Sequence, residues 1–430
     1  MVRVRIGLVA IVLIAAAAVA QAQLRGHGGP VRALAISADG KAAISGSFDT
    51  SAIRWSLENG AASEVLRFHD GAVNAVALLR DGRAASSGED TRIAIWKLGE
   101  AKPVAVLEGH KAPVVSLAVS ADGATVASAS WDHTARLWPL SGGAGGGEPR
   151  VLEGHKDNVN GVAFTPGGKS VVTVGYDAAL RIWPLAGGAP EIVTLPTPLN
   201  TVAIASDGEI ATAGADGKVY FLTAGGQVKG DVEVGNVPII AVTMSPDGKL
   251  VAAAGIRGSV AIINRATRNL ERTLVGPGLP VWSVAFFPDS RTLLTGGTDR
   301  MIRRWDAIKG EPIGDVLAGA PEDPLAAYAG DPGAEVFRAC VACHTLNSHD
   351  GVRAGPSLAG IFGRKIATLP GYNFSEALRK MDIVWTPETV SELFEIGPNA
   401  YTPGTKMPEQ RIGSPEDRAA LMRFLEKATK

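Results

Sequence analysis

The sequence predicts a chain of two domains, an all-β propeller of seven blades followed by a small all-α domain. Three observations lead to this prediction. Residues 24 to 317 repeat with a period near forty, and each period contains short alternating apolar runs between Gly and Asp turns. Such runs are typical of β-strands in a meander, and a period of this length is typical of a propeller blade. After residue 330 the period stops, and a helical pattern around Leu421, Phe424 and Leu425 closes the chain.

Residues 1–22 have the pattern of a secretory signal peptide. Two arginines precede an apolar run from Ile6 to Val19, and a small-x-small site, Ala20-Gln21-Ala22, follows. A membrane span needs about 20 apolar residues and this run is shorter, so an uncleaved anchor is the weaker alternative. We expect cleavage after Ala22, export, and no membrane span in the mature chain.

Each period ends in an aromatic or aliphatic residue, and these residues are 38 to 45 positions apart. They are Trp55, Trp96, Trp138, Trp183, Phe221, Ile263 and Trp305. Seven periods of about four strands each predict a seven-bladed propeller over residues 23–317. We expect residues 311 to 317 to supply the outer strand of the seventh blade, with little contribution from Leu24. An exposed linker over residues 318–330 and a second domain over 331–430 follow.

Four periods share a set of four side chains. In each set a His comes first, a Ser or Thr lies four residues before an Asp, and a Trp lies six residues after that Asp. The sets are His27, Ser45, Asp49 and Trp55; His69, Ser86, Asp90 and Trp96; His110, Ser128, Asp132 and Trp138; and His155, Thr173, Asp177 and Trp183. The His and the Asp are almost equally far apart in all four sets. Thr295, Asp299 and Trp305 repeat the spacing, whereas the fifth and sixth periods lack the His.

These periods resemble the WD-repeat family. In that family the His, hydroxyl, Asp and Trp form a hydrogen-bonded chain that joins the strands of a blade, and the resemblance implies the same here. Because each His recurs beside its own Asp and hydroxyl, we interpret the four histidines as structural rather than as one metal or catalytic site. The resemblance also implies a ring that binds proteins on its flat faces. We expect blades 5 and 6 to be the least tightly joined.

The two cysteines of the chain, Cys340 and Cys343, are followed by His344. A Cys-x-x-Cys-His run is the attachment signature of a c-type haem. The two thiolates add to the porphyrin vinyl groups, and the adjacent His binds the iron. A thioredoxin-like redox pair is the alternative, but it requires a βαβ setting that this sequence does not predict. The motif predicts one haem c, covalently held by Cys340 and Cys343, with His344 as an axial ligand.

Downstream residues extend this pattern. They are Gly355-Pro356-Ser357-Leu358, Gly363-Arg364-Lys365, Trp385 and Pro403-Gly404-Thr405-Lys406-Met407. With the motif, they make residues 331–430 similar to a class I cytochrome c with His/Met ligation. The resemblance implies that Met407 is the second axial ligand and that the Pro356 carbonyl accepts the imidazole N–H of His344. It also implies that Arg364, Trp385 and Thr405 satisfy the haem propionates.

Three further residues bear on the resemblance to class I cytochromes c. It implies that Gly333, in Gly-x-x-x-Phe, lets the first helix of the domain cross the last one at Phe424. Phe374 departs from the family pattern, because it stands where a propionate-bonding Tyr is usual. His349 is a weaker candidate than Met407 for the second axial position.

Composition limits the function. The net charge is −1, with 42 Lys and Arg against 43 Asp and Glu, so nothing indicates a nucleic acid partner. No nucleophile elbow, phosphate-binding loop or His-Glu-x-x-His motif is present in the sequence. We therefore expect an electron carrier rather than an enzyme.

The sequence thus predicts a periplasmic bacterial electron-transfer protein, since c-type haem is attached outside the cytoplasm in bacteria. We expect its partners to be a donor dehydrogenase, a terminal oxidase or both, docking on the propeller and the haem edge. One alternative is an oxidoreductase with its active site on the propeller axis and the cytochrome as electron outlet. Another is a sensor of gas or peroxide in which Met407 is a labile ligand.

Overall fold

The computed structural model describes most of the chain from residue 23 onward. The described residues are 23–140, 147–276, 279–314, 325–338, 340–342, 344–347, 355–370, 372, 374, 376–403, 405, 407 and 411–430. The predicted signal peptide and most of the predicted linker lie outside them. Among the described residues, no helix is both long and apolar enough to cross a membrane.

Residues 23 to 314 form seven antiparallel sheets, and the first strands of neighbouring sheets contact one another in a closed ring. The seven-bladed propeller predicted from the period is therefore confirmed. Blades 1 to 4, from the inner to the outer strand, are β2–β5 (Val31–Ile36, Ala42–Ser47, Ser51–Ser56, Ala62–Arg67), β6–β9 (Val73–Leu78, Ala84–Gly88, Ile93–Trp96, Ala105–Leu107), β10–β13 (Val114–Val119, Thr125–Ser130, Ala135–Pro139, Arg150–Leu152) and β14–β17 (Val159–Phe164, Ser170–Gly175, Ala179–Pro184, Glu191–Thr194).

Blades 5 and 6 have the same order, and blade 7 uses strands from both ends of the propeller sequence. Blade 5 is β18–β21 (Leu199–Ile204, Ile210–Gly214, Lys218–Leu222, Val228–Glu233), and blade 6 is β22–β25 (Ile239–Met244, Leu250–Gly255, Ser259–Asn264, Leu270–Val275). Blade 7 is β26–β28 (Val281–Phe286, Thr292–Gly297, Met301–Asp306) with β1 (Gln23–Arg25) and β29 (Glu311–Pro312). The middle strands of each blade are buried on both faces, because the blades pack against one another.

The ring is closed in blade 7, where two short strands from the two ends of the propeller sequence pair with β28. Strand β1 pairs with β28, and Leu24 lies opposite Ile302 and is only 1% exposed. Strand β29 pairs with the other end of β28, at Trp305 and Asp306. The prediction that Leu24 contributes little was wrong. A three-residue strand carries no period of its own, but its hydrogen bonds cover the edge that β28 would otherwise expose.

Four blades contain the His–hydroxyl–Asp–Trp chain. In blade 1, His27 Nδ1 lies 3.0 Å from the Asp49 carboxylate, and its Nε2 lies 2.7 Å from Ser45 Oγ. The Trp55 indole donates to the same Oγ at 2.8 Å. Blades 2, 3 and 4 repeat these contacts at closely similar distances in the sets of His69, His110 and His155. A carboxylate only accepts, so Nδ1 carries a proton and donates to the Asp.

Each Asp also fixes the turn between the second and third strands. The Asp49 side chain accepts the backbone N–H of Ser51 at 2.9 Å, and the residue between them, Thr50, has a φ of 66°. Residues 91, 133, 178 and 300 occupy the equivalent position with φ between 59° and 68°. A non-glycine residue in this left-handed region requires compensating contacts. The Asp supplies them, so one side chain sets both the turn and the blade.

Blade 7 builds a different chain from the same position. The Trp305 indole donates to Thr295 Oγ1 at 3.0 Å, as in the other blades. The partner of Asp299 is the guanidinium of Arg303, which lies four residues later on β28. In blade 5, the Tyr220 hydroxyl donates to Asp216 at 2.5 Å. Blades 5 and 7, which lack the His, therefore pair their Asp with a Tyr or an Arg on their own third strand.

The second domain is helical, with α1 (Pro332–Phe337), α2 (Glu376–Arg379), α3 (Pro387–Ile396), α4 (Pro398–Tyr401) and α5 (Pro415–Ala428). Asp331, Thr386 and Ser414 cap α1, α3 and α5, and a proline follows each cap. Such Pro residues lack an N–H that the first turn would leave without a partner. An isolated β-bridge between Lys365 and Val384 joins the two halves of the segment that precedes α3.

Helices α1 and α5 cross at Gly333. A Cβ atom on Gly333 would lie 2.2 Å from the Ala420 carbonyl oxygen and 2.5 Å from Phe424 Cβ, so only glycine allows this approach. The rings of Phe337 and Phe424 then pack at 5.4 Å between centroids. The crossing places the end of α1 against the middle of α5.

The end of the predicted linker differs from the expected exposed tether. Leu325 is buried in the core of the helical domain, and Ala326–Tyr328 forms a 3₁₀ turn. The Tyr328 ring packs edge-on against Phe424 at 5.1 Å. Residues 325 to 330 therefore belong structurally to the helical domain, because two large apolar side chains in this segment find partners in its core.

We predict that Gly333→Ala destabilises the helical domain by about 1–3 kcal/mol, the cost of overpacking a close contact. Its unfolding midpoint in denaturant, followed by circular dichroism of the helices, should fall. Gly413→Ala is the control, because a Cβ there meets no atom within 4 Å. Equal stability of the two variants would contradict the crossing described above.

Asp90 gives a prediction about pH. Burial raises the pKa of its carboxyl, but hydrogen bonds from His69 and the charges of His69 and Arg92 outweigh burial and lower it from 3.8 to about 2. A depressed folded-state pKa stabilises the protein above the unfolded-state value, and this contribution is lost as the pH falls through about 2.

Asp90→Asn should therefore lower the free energy of unfolding of the propeller by about 2 kcal/mol at pH 7. The difference from the wild type should shrink between pH 4 and pH 2. Tryptophan fluorescence in denaturant measures it, because seven of the eight Trp residues precede residue 318. The exposed Asp157→Asn serves as control. A difference that does not change with pH would exclude the carboxylate charge as the cause.

Candidate functional site

An apolar cavity opens in the helical domain between α1, α3 and α5. Its volume is about 1400 Å³ when the open mouth is included. The apolar lining includes Phe337, Leu358, Ile361, Val390, Leu393, Phe394, Leu421 and Leu425. All three helices therefore contribute to the lining.

Cys340 and His344, which follow α1 in the sequence, lie at this cavity. Residues Cys340–Ala342 form a 3₁₀ turn, and the His344 N–H donates to the Cys340 carbonyl at 2.9 Å. This bond joins residues four apart, as in an α-helix, and residues four apart in an α-helical turn lie on the same side. Cys340 and His344 accordingly both line the cavity. Cys343 lies outside the described residues.

The His344 imidazole is oriented by the segment that follows. Its Nδ1 lies 2.8 Å from the Pro356 carbonyl oxygen, which accepts only if Nδ1 carries the proton. The Leu358 N–H donates to the Thr345 carbonyl at 2.9 Å and holds Pro356 in place. With the proton on Nδ1, it is Nε2 that carries the lone pair needed to bind a metal.

Met407 and Thr405 reach the same cavity from the segment after α4. The Met407 N–H donates to Thr405 Oγ1 at 3.1 Å, and the Thr405 N–H donates to the Thr402 carbonyl at 3.0 Å. These bonds make a compact turn that presents the thioether. His349, the weaker candidate for the second axial ligand, lies outside the described residues.

Arg364 and Trp385 line the cavity on a further side. The Arg364 guanidinium donates to the carbonyls of Ala359 at 2.9 Å and Ser357 at 2.8 Å, so it also ties together the loop that carries Pro356. Burial lowers the pKa of Arg364, which nevertheless remains a cation at neutral pH. The backbone of Trp385 pairs with that of Arg364 at 3.0 Å.

Some lining residues were not predicted from the sequence. Phe374, noted above as a departure from the family pattern, packs at 4.6 Å from the Tyr372 ring, and both line the cavity. Phe48, Asp49 and Thr50 of the propeller line it as well. No spacing or motif connects a turn in blade 1 with loops of the last domain, so only the tertiary structure could reveal this contact.

The donors in this cavity fit an iron porphyrin. A thiol, an imidazole with a directed Nε2 and a thioether face an otherwise apolar space, and such ligands hold haem in proteins. A mostly apolar lining with a few placed polar groups is also what a cofactor site requires. Among the described residues, no group of three His, Cys, Asp or Glu side chains could hold a bare metal ion.

Comparison with known proteins agrees with this chemistry. Residues 330–429 match the family model of cytochrome c. The same part is 41% identical over 99 residues to cytochrome c of Cochliobolus lunatus, covering 91% of that protein and 23% of this chain. The chain belongs to the cytochrome c family. Cytochrome c of Arabidopsis thaliana is also 41% identical, with 88% covered, and cytochrome c type-1 of Ascaris suum is 37% identical over 111 residues, with 96% of it and 26% of this chain covered.

Membership of the cytochrome c family implies a covalently bound haem c with iron and haem-based electron transfer. The N-terminal part matches the family model of the WD domain, G-beta repeat, over residues 19–56, 61–97, 101–139, 146–184 and 268–306. Blades 5 and 6 fall largely outside these ranges, and both lack the His. The chain thus joins WD repeats, folded as a seven-bladed propeller, to a cytochrome c domain.

Proposed function

We propose that this protein is a class I cytochrome c that carries one haem and transfers electrons in the periplasm. The observation that carries the proposal is the presence of Cys340, His344 and Met407 in the lining of one apolar cavity. In the proposed site, Cys340 and Cys343 hold the haem covalently. His344 and Met407 would both bind the iron, so no coordination position would remain for a substrate.

The residues that line the cavity would each contribute to the chemistry of the bound haem. The bound haem supplies a one-electron couple between ferric and ferrous iron. The Pro356 carbonyl keeps the His344 proton on Nδ1, which leaves the lone pair of Nε2 to bind iron and raises its basicity. The thioether of Met407 raises the reduction potential relative to an anionic ligand. The apolar side chains exclude water from the space around the iron.

The haem propionates need cations or hydrogen-bond donors, because a carboxylate is costly to place in an apolar cavity. Arg364, Trp385 and Thr405 line the cavity and carry such groups, so these residues would bind the propionates. Arg364 also donates to two backbone carbonyls. Binding of a propionate would thereby be linked to the loop that orients His344.

Export of the protein is part of the proposal. It is supported by the basic, apolar and small-residue pattern of residues 1–22 and by the need to attach c-type haem outside the bacterial cytoplasm. The partners that fit this setting are periplasmic redox proteins, namely a donor dehydrogenase, a terminal oxidase or both.

The propeller would serve as the docking scaffold for these partners. Trp131 and Tyr176 occupy equivalent positions in blades 3 and 4, directly before the Asp of each chain, and are 39% and 42% exposed. Because the blades are repeats around one ring, equivalent turns lie on the same face. Exposed aromatic side chains are typical of the anchor residues of protein interfaces.

We predict that Met407→Ala lowers the midpoint potential of the haem by more than about 59 mV, a tenfold change for one electron. Loss of the thioether opens the second axial position and removes the sulfur-to-iron absorption of the ferric protein. Met422→Leu is the control, because Met422 is buried in α5 and does not line the cavity. An unchanged potential together with an unchanged absorption would exclude Met407 as the ligand.

We also predict that Trp131→Ser slows reduction of the haem by a periplasmic extract several-fold without a change in midpoint potential. The loss of a docking anchor affects encounter with the partner and leaves the iron site intact. Ile192→Ser, on the outer strand of blade 4, removes a comparably exposed apolar side chain as control. If both variants react as fast as the wild type, the exposed aromatic face is not the docking surface.

A further inference from the structure

The cavity of the cytochrome c domain has one wall that comes from the propeller. Phe48, Asp49 and Thr50 form the turn between β3 and β4 of blade 1, and all three line the cavity. Among the described residues, the rest of the lining belongs to the cytochrome c domain. The two domains therefore meet at the place where the haem would bind.

The propeller holds this turn rigidly. Asp49 accepts hydrogen bonds from the backbone of Gly28 at 2.7 Å and of Ser51 at 2.9 Å, in addition to its contact with His27. The Phe48 ring packs against Trp282 of blade 7 at 6.0 Å between centroids. These bonds fix the backbone that carries Phe48, and the contact with Trp282 supports its ring.

Blade 1 also supplies a cation next to this wall. Arg67 is the last residue of β5, and its guanidinium lies 5.6 Å from the centroid of the Tyr372 ring. Burial lowers the pKa of Arg67, while the nearby Tyr372 and Asp49 act in the opposite direction. An arginine remains charged under these conditions. Its positive charge is thus held near two residues, Asp49 and Tyr372, that line the cavity.

We propose that blade 1 completes the haem crevice and raises the reduction potential of the haem. The proposal rests on the proposed function. Ferric iron carries one more positive charge than ferrous iron, so removing water and adding a cation both disfavour the ferric state. Phe48 excludes water, and Arg67 adds the cation.

Three charged side chains in the cavity lining, Asp49, Arg364 and Lys365, must be weighed together with Arg67. The Asp49 carboxylate is an anion. Burial raises its pKa, but the His27 charge and the hydrogen bonds from His27 and Ser51 outweigh burial and lower the pKa from 3.8 to about 2. It favours the ferric state, but its hydrogen bonds already balance much of its charge. Lys365 pairs with Asp382 at 2.8 Å, and the two charges largely cancel. Arg364, the further cation in the lining, belongs to the cytochrome c domain and is unchanged in every variant compared below.

The first experiment uses the full-length holoprotein and compares Phe48→Ala with Ile256→Ala. Ile256 has the equivalent position in blade 6, is 38% exposed against 40% for Phe48, and does not line the cavity. A spectroelectrochemical titration measures the midpoint potential, and the haemochrome spectrum measures covalent haem. We expect Phe48→Ala to shift the reduction equilibrium about tenfold toward the ferric form, a fall of about 59 mV, and Ile256→Ala to match the wild type.

The second experiment tests the charge through Arg67→Gln and Arg67→Lys. Removal of the charge should shift the reduction equilibrium a few-fold toward the ferric form, whereas lysine should retain most of the wild-type potential. This pair also decides the question if Phe48→Ala fails to fold. The unfolding midpoint of the propeller, measured in parallel, separates a change in the haem environment from a loss of blade stability.

The outcomes are distinct. Equal potentials for the wild type, Phe48→Ala and Arg67→Gln would overturn the proposed wall and leave the electron-transfer function standing. An equal fall in Ile256→Ala would also overturn it, because the effect would then belong to the whole propeller. If the wild-type protein carries no covalent haem, the proposed function fails and this inference fails with it.

Discussion

The close approach of α1 and α5 at Gly333 is the constraint on which the haem site depends. With no Cβ at this position, the backbone of α1 reaches the Ala420 carbonyl, and Phe337 packs against Phe424. Helix α1 ends three residues before Cys340, so the position of the attachment turn follows from this crossing. Helix α5 supplies Leu421 and Leu425 to the cavity lining. A shift of either helix would move the thiol and the imidazole away from the wall they face.

In the propeller, four blades are each held together by the same set of hydrogen-bonded side chains. In four blades a buried imidazole, a hydroxyl, a carboxylate and an indole satisfy one another, and the carboxylate also fixes a left-handed turn. Burying such groups is favourable only when every donor and acceptor has a partner. Blade 7 keeps the indole and hydroxyl but pairs Asp299 with Arg303. The result is a ring whose turns are rigid enough to present side chains to a neighbour.

The two domains contact each other directly, because residues of the propeller help to line the cavity of the cytochrome c domain. The turn that the Asp49 chain fixes in blade 1 carries Phe48 into the lining of the cytochrome c cavity. A structural device of the propeller thus becomes part of the surroundings of a redox centre. If the propeller also docks partners through Trp131 and Tyr176, one ring both shapes the haem crevice and selects what approaches it.

The sequence by itself determined the number of blades, the four His–hydroxyl–Asp–Trp sets, and the candidate haem ligands Cys340, Cys343, His344 and Met407. The blades and the four sets are readable because they depend on a repeat, and Cys340, Cys343 and His344 because they form one short motif. Met407 was implied by the resemblance to class I cytochromes c. Only the tertiary structure decided that Gln23–Arg25 closes blade 7, that Leu325 and Tyr328 pack into the helical domain, and that Phe48 lines the haem cavity. Each of these contacts joins residues far apart in the chain, and their formation depends on how complete domains pack, which no spacing in the sequence records.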